Sequence, residues 1–255
     1  MNHGKDRTGL PWRGRKLRSL TVSLCIAGAL VLTSCAYLPE RPGPLGPTPR
    51  GTSTSEHADI SRGDDSPDGF QSAQRIAVRV RNVGCQSLST GSGFALDKNT
   101  LVTNRHVIED SSELQLETYD GRDVPVAAST MASFSDLALV TTSKNLPQVA
   151  PIADKDPEIN DVITVIGYPN GGALTKSTGK IISTEDDPLG VNLGEVFYTS
   201  APVEPGSSGS AVLNVDGELV GVIYAKSGSG SLFVPVSTLH ELLESDENRE
   251  PLPGC

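Results

Sequence analysis

The sequence predicts an all-β protein, folded as a sandwich or a barrel, with one helix near its end. Aromatic residues make up only 4% of the 255 residues, whereas 26 glycines and 18 prolines are typical of a loop-rich β protein. Short segments alternate apolar and polar residues, as half-buried strands do, and turn residues separate most of them. This spacing favours a sandwich or barrel over βαβ units.

The first 34 residues have the features of a bacterial lipoprotein signal peptide. A basic stretch at residues 13–18 precedes an uncharged run. The apolar centre of that run, about residues 20–32, has the length of a signal-peptide core and is short for a membrane span. Residues 32–35, Leu-Thr-Ser-Cys, resemble a lipobox, which implies that Cys35 is lipidated and becomes the first mature residue. The alternative is a cysteine that happens to follow an ordinary signal sequence.

Residues 35–73 predict a disordered tether between the membrane and the folded domain. Residues 36–72 hold six prolines and many Gly, Ser, Thr and Asp residues, with too few large apolar side chains to offset the entropy of ordering. Without the first 34 residues the chain has 15 basic and 30 acidic side chains, a formal charge of −15. Such an acidic body argues against sequence-independent nucleic-acid binding.

The folded domain is predicted to extend over residues 74–255. Turn signals at Asp120-Gly121 and Asp216-Gly217 predict two tight hairpins. Thr238 and Glu241 form a capping-box pattern, and an apolar stripe follows it, so a helix is predicted at about 238–245 with a tail at 246–255. The predicted strands are residues 75–81, 92–96, 101–103, 114–118, 137–142, 162–166, 180–183, 196–199, 210–214, 219–224 and 232–236.

Three segments carry residues of catalytic type. His106 follows a predicted strand, Asp136 opens another, and Ser208 lies in the Gly/Ser-rich segment 205–210. Each has an ordinary interpretation alone: a structural histidine, a turn aspartate and a flexible loop. Together they supply the base, the group that orients the base, and the nucleophile of a serine hydrolase.

These segments resemble those of trypsin-like bacterial serine peptidases, of the HtrA-like and V8-like kind. Residues 103–107 resemble the "TNxHV" strand, residues 135–138 the strand of the triad Asp, and residues 205–210 the "PGNSGS/G" loop. The resemblance covers about residues 74–244. It implies the chymotrypsin fold, with two six-stranded antiparallel β-barrels at about 74–148 and 149–236 and a C-terminal helix.

The resemblance also implies a role for each site residue. Ser208 is the nucleophile, His106 the general base and Asp136 the residue that orients it. The backbone N–H groups of Gly206 and Ser208 form the oxyanion hole. Ser207 replaces the Asp that pairs with a freed N-terminus in zymogen-activated trypsins, so activation by cleavage is not expected.

Ser207 and Ser210 are rivals for the nucleophile, but only Ser208 occupies the third position of Gly-x-Ser-Gly. The substrate pocket is expected at Pro202, Ile223, Tyr224 and Ala225. It contains neither the Asp of Arg/Lys-specific relatives nor the His of Glu-specific ones. Small or medium apolar residues are therefore expected at the cleaved position, and the nearby Lys226 is the main argument against this.

Two cysteines remain after export and lipidation. Cys25 leaves with the signal peptide and Cys35 carries lipid, so Cys85 and Cys255 form an even pair in an exported protein. We predict a disulfide between them; the alternative is two free thiols. The spacing of Cys and His residues predicts no metal site, and no phosphate-binding loop indicates a cofactor.

The sequence therefore predicts a serine endopeptidase that is lipid-anchored at the extracytoplasmic face of the bacterial membrane and acts on polypeptides. No segment of the size of a PDZ domain follows residue 244, so a stand-alone peptidase is expected. The alternative function is a trypsin-fold binding or scaffold module with little proteolytic activity. Labelling by a fluorophosphonate distinguishes the two.

Overall fold

The computed structural model describes Asp68 and residues 70–252. The signal peptide, Cys35, nearly all of the tether and Cys255 lie outside the described residues, so export, lipidation and the disulfide stay predictions. None of the helices in the described part is long and apolar enough to cross a membrane.

Fourteen strands and three α-helices form the described part of the chain, together with two single-turn 3-10 helices at Pro169–Gly171 and Asp246–Asn248. The strands are β1 Ala77–Gly84, β2 Leu88–Ala95, β3 Thr100–Thr103, β4 Ser111–Thr118, β5 Asp123–Val124, β6 Val126–Ala132, β7 Ala138–Thr142, β8 Val162–Gly167, β9 Thr175–Asp186, β10 Glu195–Thr199, β11 Ala211–Leu213, β12 Leu219–Ser227, β13 Gly230–Pro235 and β14 Arg249–Pro251. The helices are α1 Ser72–Arg75, α2 Arg105–Ile108 and α3 Val236–Glu244.

The first unit is an eight-stranded antiparallel sheet in the order β14-β6-β7-β3-β2-β1-β4-β5. Six of its strands match the predicted first barrel in number, and the two additional short strands, β5 and β14, lie at its two edges. Side chains alternate along β1: Val78 and Val80 are buried in the core of the sheet, whereas Arg79 and Arg81 lie on the other face.

The second unit is a closed six-stranded barrel in the order β10-β13-β12-β11-β8-β9. Its interior contains Ile163, Ile181 and Ile223, and the rings of Phe197 and Phe233 stack with their centres 5.2 Å apart. A separate apolar cluster joins the two units, with Phe94 from β2, Val222 from β12 and Leu239 from α3 among its members. The predicted all-β fold with a C-terminal helix is confirmed: the second unit is the closed six-stranded barrel, and the first is a curled sheet that forms a half-barrel.

The predicted start of the last helix is wrong. Helix α3 begins at Val236 with Pro235 as its N-cap residue, and no side chain of the helix caps it. Proline fixes a φ that suits this position (−69°), so the helix begins before Thr238 and leaves that residue inside it. The backbone N–H of Ser237 is bonded instead by the distant Asp156 carboxylate, at 2.9 Å.

Both ends of the described part are more ordered than the sequence pattern suggests. Helix α1 begins inside the segment predicted to be tether, and Arg75 pairs with Asp68 at 2.5 Å. The ring of Phe70 packs edge-on against Tyr119 at 5.1 Å. At the other end, β14 pairs with β6 and Leu252 packs against the core of the first sheet.

Candidate active site

His106 and Asp136 are joined by two hydrogen bonds. The imidazole Nδ1 lies 2.6 Å from Asp136 Oδ2, and the backbone N–H of His106 donates to Oδ1 at 3.0 Å. The carboxylate is 4% exposed and the imidazole 42% exposed. A carboxylate can only accept here, so Nδ1 carries the hydrogen and Nε2 is left to accept a proton.

The pairing of β3 with β7 brings these two residues together. Thr103 lies opposite Ala138 in the register, so the segments that follow β3 and precede β7 are neighbours. The side-chain amide of Asn104 donates to the backbone carbonyl of Asp136 at 2.8 Å, and the N–H of Arg105 donates to the same oxygen at 3.3 Å. The segments of His106 and Asp136 are therefore held together independently of the His106 and Asp136 side chains.

Asn192 is a supporting residue that the sequence interpretation missed. Its Oδ1 accepts the backbone N–H of Asp136 at 2.9 Å, and its Nδ2 donates to Asp187 at 3.0 Å. The Asp187 carboxylate also accepts the hydroxyl of Tyr224 at 2.6 Å. The loop between β9 and β10 thus supports Asp136 from behind. Its Asp-Pro-Leu-Gly sequence indicates only a turn, so no local signal could have revealed this role.

Around His106 and Asp136, the environment changes the pKa of His106, Asp187 and Tyr224. Burial lowers the pKa of His106, but the hydrogen bond to Asp136 and the negative charge of that carboxylate raise it by more, so the net pKa lies above the ordinary value. Burial raises the pKa of Asp187, but hydrogen bonds from Tyr224 and from backbone N–H groups lower it below its usual range. Burial and the bond to Asp187 both raise the pKa of Tyr224, which therefore stays neutral.

Ser208 lies on the loop between β10 and β11, half-buried, with its hydroxyl turned towards β12. Its Oγ donates to the backbone carbonyl of Tyr224 at 3.3 Å. Within the part of the chain that the structure describes, no hydrogen bond joins Ser208 to His106. Such bonds are often absent without substrate and form in the substrate complex.

The rival serines are less accessible than Ser208. Ser207 is 5% exposed and its hydroxyl accepts the N–H of Glu204, and Ser210 is fully buried. A Cβ on Gly167 would lie only 1.8 Å from the Ser210 hydroxyl, so that side of Ser210 is closed. Ser208 is therefore the serine of the three that a substrate can reach.

The backbone around Gly206 has the arrangement that an oxyanion hole requires. Gly206 adopts a φ of +90°, a left-handed conformation that favours glycine. The carbonyl of Pro205 accepts the N–H of Asn170 at 2.5 Å, so the N–H of Gly206, on the opposite side of the same trans peptide, points the other way. Among the described residues, neither Gly206 nor Ser208 donates its backbone N–H to an acceptor, so both are available to an oxyanion.

Ser92 connects this loop to the first sheet. Its backbone N–H donates to the carbonyl of Ser208 at 2.7 Å, and its hydroxyl donates to the carbonyl of Gly206 at 2.8 Å. The same hydroxyl accepts the N–H of Tyr168 at 2.8 Å. One buried side chain of β2 therefore holds both the loop of Ser208 and the segment after β8.

The predicted pocket residues lie in different environments. Tyr224 contacts Ser208 through its carbonyl, Ala225 is partly buried beside it, and Pro202 is exposed. Ile223 is 1% exposed and packs in the interior of the second barrel. The side chain of Tyr224 is 3% exposed and lies in the apolar cluster between the two units, so neither the Ile223 nor the Tyr224 side chain is open to a substrate.

Lys226, whose charge is the main argument against an apolar preference at the cleaved position, forms an ion pair with Glu204. Its Nζ lies 2.8 and 2.9 Å from the two carboxylate oxygens of Glu204. Glu204 precedes the loop of Gly206 and Ser208, so the pair connects the end of β12 with the segment before Ser208. Within Asp68 and residues 70–252, no group of three or more His, Cys, Asp and Glu side chains is placed to hold a metal ion. The absence of a cofactor stays an expectation.

The chain is similar to known serine endoproteases. The family model described as "Trypsin-like peptidase domain" matches residues 91–222. DegS of Escherichia coli K12 is 31% identical over 222 residues, which cover 81% of this chain and 59% of that protein. A probable periplasmic DegP-like serine endoprotease of Chlamydia pneumoniae is 32% identical over 144 residues, which cover 55% of this chain and 30% of that protein. The chain thus matches less than two thirds of either relative.

A solved structure shares the fold. The active form of the Rv3671c protease from M. tuberculosis superposes with a TM-score of 0.64 over 71% of this chain and 85% of that one, at 20% sequence identity. At that identity the likeness concerns the fold alone.

Proposed function

The chain belongs to the trypsin-like peptidase family, and we propose that it is an extracytoplasmic serine endopeptidase with Ser208, His106 and Asp136 as its triad. The observation that carries this proposal is the 2.6 Å contact between His106 Nδ1 and Asp136 Oδ2. It fixes the imidazole tautomer in which Nε2 can take a proton from a nucleophile.

The proposed reaction begins when the Ser208 hydroxyl turns from the Tyr224 carbonyl to His106. Nε2 takes the hydroxyl proton while Oγ forms a bond to the carbonyl carbon of the substrate. The carbonyl oxygen becomes an oxyanion and accepts the N–H groups of Gly206 and Ser208, which are fixed before the substrate arrives. Because the hole is preorganised, it stabilises charge that exists only in the transition state and the intermediate.

The second half of the reaction returns the enzyme to its starting state. The imidazolium, stabilised by Asp136, gives its proton to the leaving amine, and the C–N bond breaks to leave an acyl-enzyme on Ser208. Water then attacks the acyl carbon while His106 takes a water proton. The bond between the acyl carbon and Ser208 Oγ breaks, Oγ receives the proton from His106, and the carboxylic acid product leaves. Because its pKa is raised, His106 can hold the proton between its transfer from Ser208 and its transfer to the leaving amine.

We propose substrates with a small or medium apolar residue at the cleaved position. The Glu204–Lys226 ion pair supports this, because each charge is already neutralised by the other. A charged substrate side chain would have to compete with a partner that is in place. Pro202 and Ala225 remain candidate pocket residues, and Tyr224 remains one through its backbone carbonyl. The burial of the Ile223 and Tyr224 side chains speaks against a role for them in contacting substrate.

We also propose that the protein is held at the outer side of the cell membrane by lipid on Cys35. The signal-peptide pattern of residues 1–34 supports export, and the DegP-like relative is named as periplasmic. We expect wild-type protein to enter the detergent phase in a phase-separation assay and Cys35→Ser to be soluble or unprocessed. A Cys35→Ser variant that still entered the detergent phase would refute the anchor.

Covalent labelling tests the catalytic proposal. A fluorophosphonate should label the wild type and the exposed-serine control Ser229→Ala, and it should not label Ser208→Ala. Peptide hydrolysis should fall by about three or more orders of magnitude in Ser208→Ala. Failure to label folded wild-type protein would favour the alternative of a binding module.

A further inference from the structure

We propose that Arg79 is a positioning residue for the oxyanion hole, acting through the turn at residues 168–172. The inference rests on the proposed function, since it concerns how the N–H of Gly206 is aimed at the oxyanion. Arg79 lies on β1, on the face away from the core of the first sheet. The hydrogen bonds of its side chain within the described residues go to Glu117 and Gly172, not to Ser208, His106 or Asp136.

The 168–172 turn sets the orientation of the Pro205–Gly206 peptide. The N–H of Asn170 donates to the carbonyl of Pro205 at 2.5 Å. The turn also packs tightly against Gly206: a Cβ there would lie 2.8 Å from the Asn170 nitrogen and 2.9 Å from the Tyr168 carbonyl oxygen. Because the peptide is planar and trans, loss of the Asn170 bond frees this peptide to rotate and to turn the Gly206 N–H out of the hole.

The 168–172 turn has an unfavourable backbone conformation at Asn170, and contacts from other parts of the protein help to hold it. Asn170 has a φ of 55° and Gly171 a φ of +63°, so two consecutive residues are left-handed. For a residue with a side chain this conformation costs about 1 kcal/mol or more. Internal bonds hold the turn at two points, from Gly171 N to the Tyr168 carbonyl and from Gly172 N to the Pro169 carbonyl.

Arg79 holds both ends of this turn with one guanidinium group. Its Nη2 donates to the carbonyl of Gly172 at 2.7 Å, and its guanidinium carbon lies 4.8 Å from the centre of the Tyr168 ring. Its Nη1 donates to Glu117, the residue directly opposite on β4, at 2.7 Å. The turn is therefore attached to two strands of the first sheet, which also supplies His106.

The chemistry of this contact requires an arginine. A planar guanidinium can stack on an aromatic ring while its edge donates in two directions, whereas a lysine ammonium is a point charge that cannot do both. Burial raises the pKa of Tyr168 to about 12, even though the charge of Arg79 lowers it, so the ring stays neutral beside the cation.

Steady-state kinetics with a boronic-acid inhibitor test the inference. A peptidyl boronic acid forms a tetrahedral adduct whose oxygen occupies the oxyanion hole. In Arg79→Met we expect kcat and the affinity for the boronic acid to fall together, by about tenfold or more, with KM changed less than about twofold. Arg79→Lys should recover only part of the loss. Arg81→Met, two residues along on the same face and exposed, should behave as the wild type.

A second variant keeps the test decisive if Arg79→Met folds poorly. Glu117→Gln leaves Arg79 in place and removes only the charge that orients it, so we expect a smaller loss of kcat and boronic-acid affinity in the same proportion. Unchanged kcat and boronic-acid affinity in Arg79→Met, or in both Arg79→Lys and Glu117→Gln, would overturn the inference. If wild-type protein reacts with neither fluorophosphonate nor boronic acid, the proposed function itself has failed.

Discussion

Gly209→Ala should destabilise the protein and disable the nucleophile loop, and Gly217→Ala provides a matched control. Both glycines are left-handed, with φ of +86° and +79°. A Cβ on Gly209 would lie 1.9 Å from the carbonyl oxygen of Ser92, whereas a Cβ on Gly217 meets nothing within 4 Å. Both substitutions therefore carry the cost of the left-handed conformation, but only Gly209→Ala also creates a steric clash with backbone.

The expected losses of stability follow from the conformational cost and the steric clash. The left-handed conformation costs an alanine about 1 kcal/mol, so Gly217→Ala should lose about that much stability. Forcing backbone apart adds about 1–3 kcal/mol, so Gly209→Ala should lose about 3 kcal/mol in total. For a domain of this size that corresponds to decreases in Tm of about 3 °C and about 10 °C.

Thermal unfolding followed by circular dichroism measures the difference, and peptide hydrolysis measures the functional effect. Ser92 donates its N–H to the Ser208 carbonyl, so displacing Ser92 moves the proposed nucleophile as well. Gly209→Ala should therefore lose activity at temperatures where it is still folded, and Gly217→Ala should keep it. Equal Tm decreases in the two variants would refute the close approach of the nucleophile loop to β2.

Three further predictions concern the supporting residues. Asp136→Asn should lower turnover by about four orders of magnitude and move the acid limb of the residual activity to lower pH, since the carboxylate raises the pKa of His106 and the base must be neutral to act; a limb at unchanged pH would contradict the assignment. Asn192→Ala leaves the buried N–H of Asp136 without its acceptor, which should cost about 1–3 kcal/mol of stability. It should also lower kcat at constant KM, as measured by steady-state kinetics. Peptide mapping without reduction should recover Cys85 and Cys255 as one linked pair, because Leu252 already packs on the first sheet; two separately alkylated peptides would exclude the bridge.

The segments that carry the proposed triad could be selected from the sequence because each has its own local pattern. His106, Asp136 and Ser208 lie in short motifs that survive in a single sequence. The supporting residues have no such pattern. Asn192 binds Asp136 from 56 positions away in the chain. In the sequence, Arg79 cannot be distinguished from any other charged residue on the outer face of a strand.

The boundaries that the sequence misjudged depend on contacts between distant segments. Thr238 has the residue type of a helix cap, but Pro235 and the Asp156 carboxylate begin α3 earlier. Residues 249–251 contain a charged pair and a proline, which argue against a strand. They form β14 because the edge of β6 is available there, a fact that only the folded sheet provides.

The pairing of β14 with β6 has a consequence for biosynthesis. Strand β6 lies in the half of the molecule that leaves the ribosome first, and its outer edge is covered by residues translated after the whole barrel and α3. Until then the nascent chain presents an open strand edge, which is a template for wrong pairing and a binding site for chaperones. The sheet of the half that carries His106 and Asp136 is thus completed only after residues 249–251, and therefore Ser208, have been made.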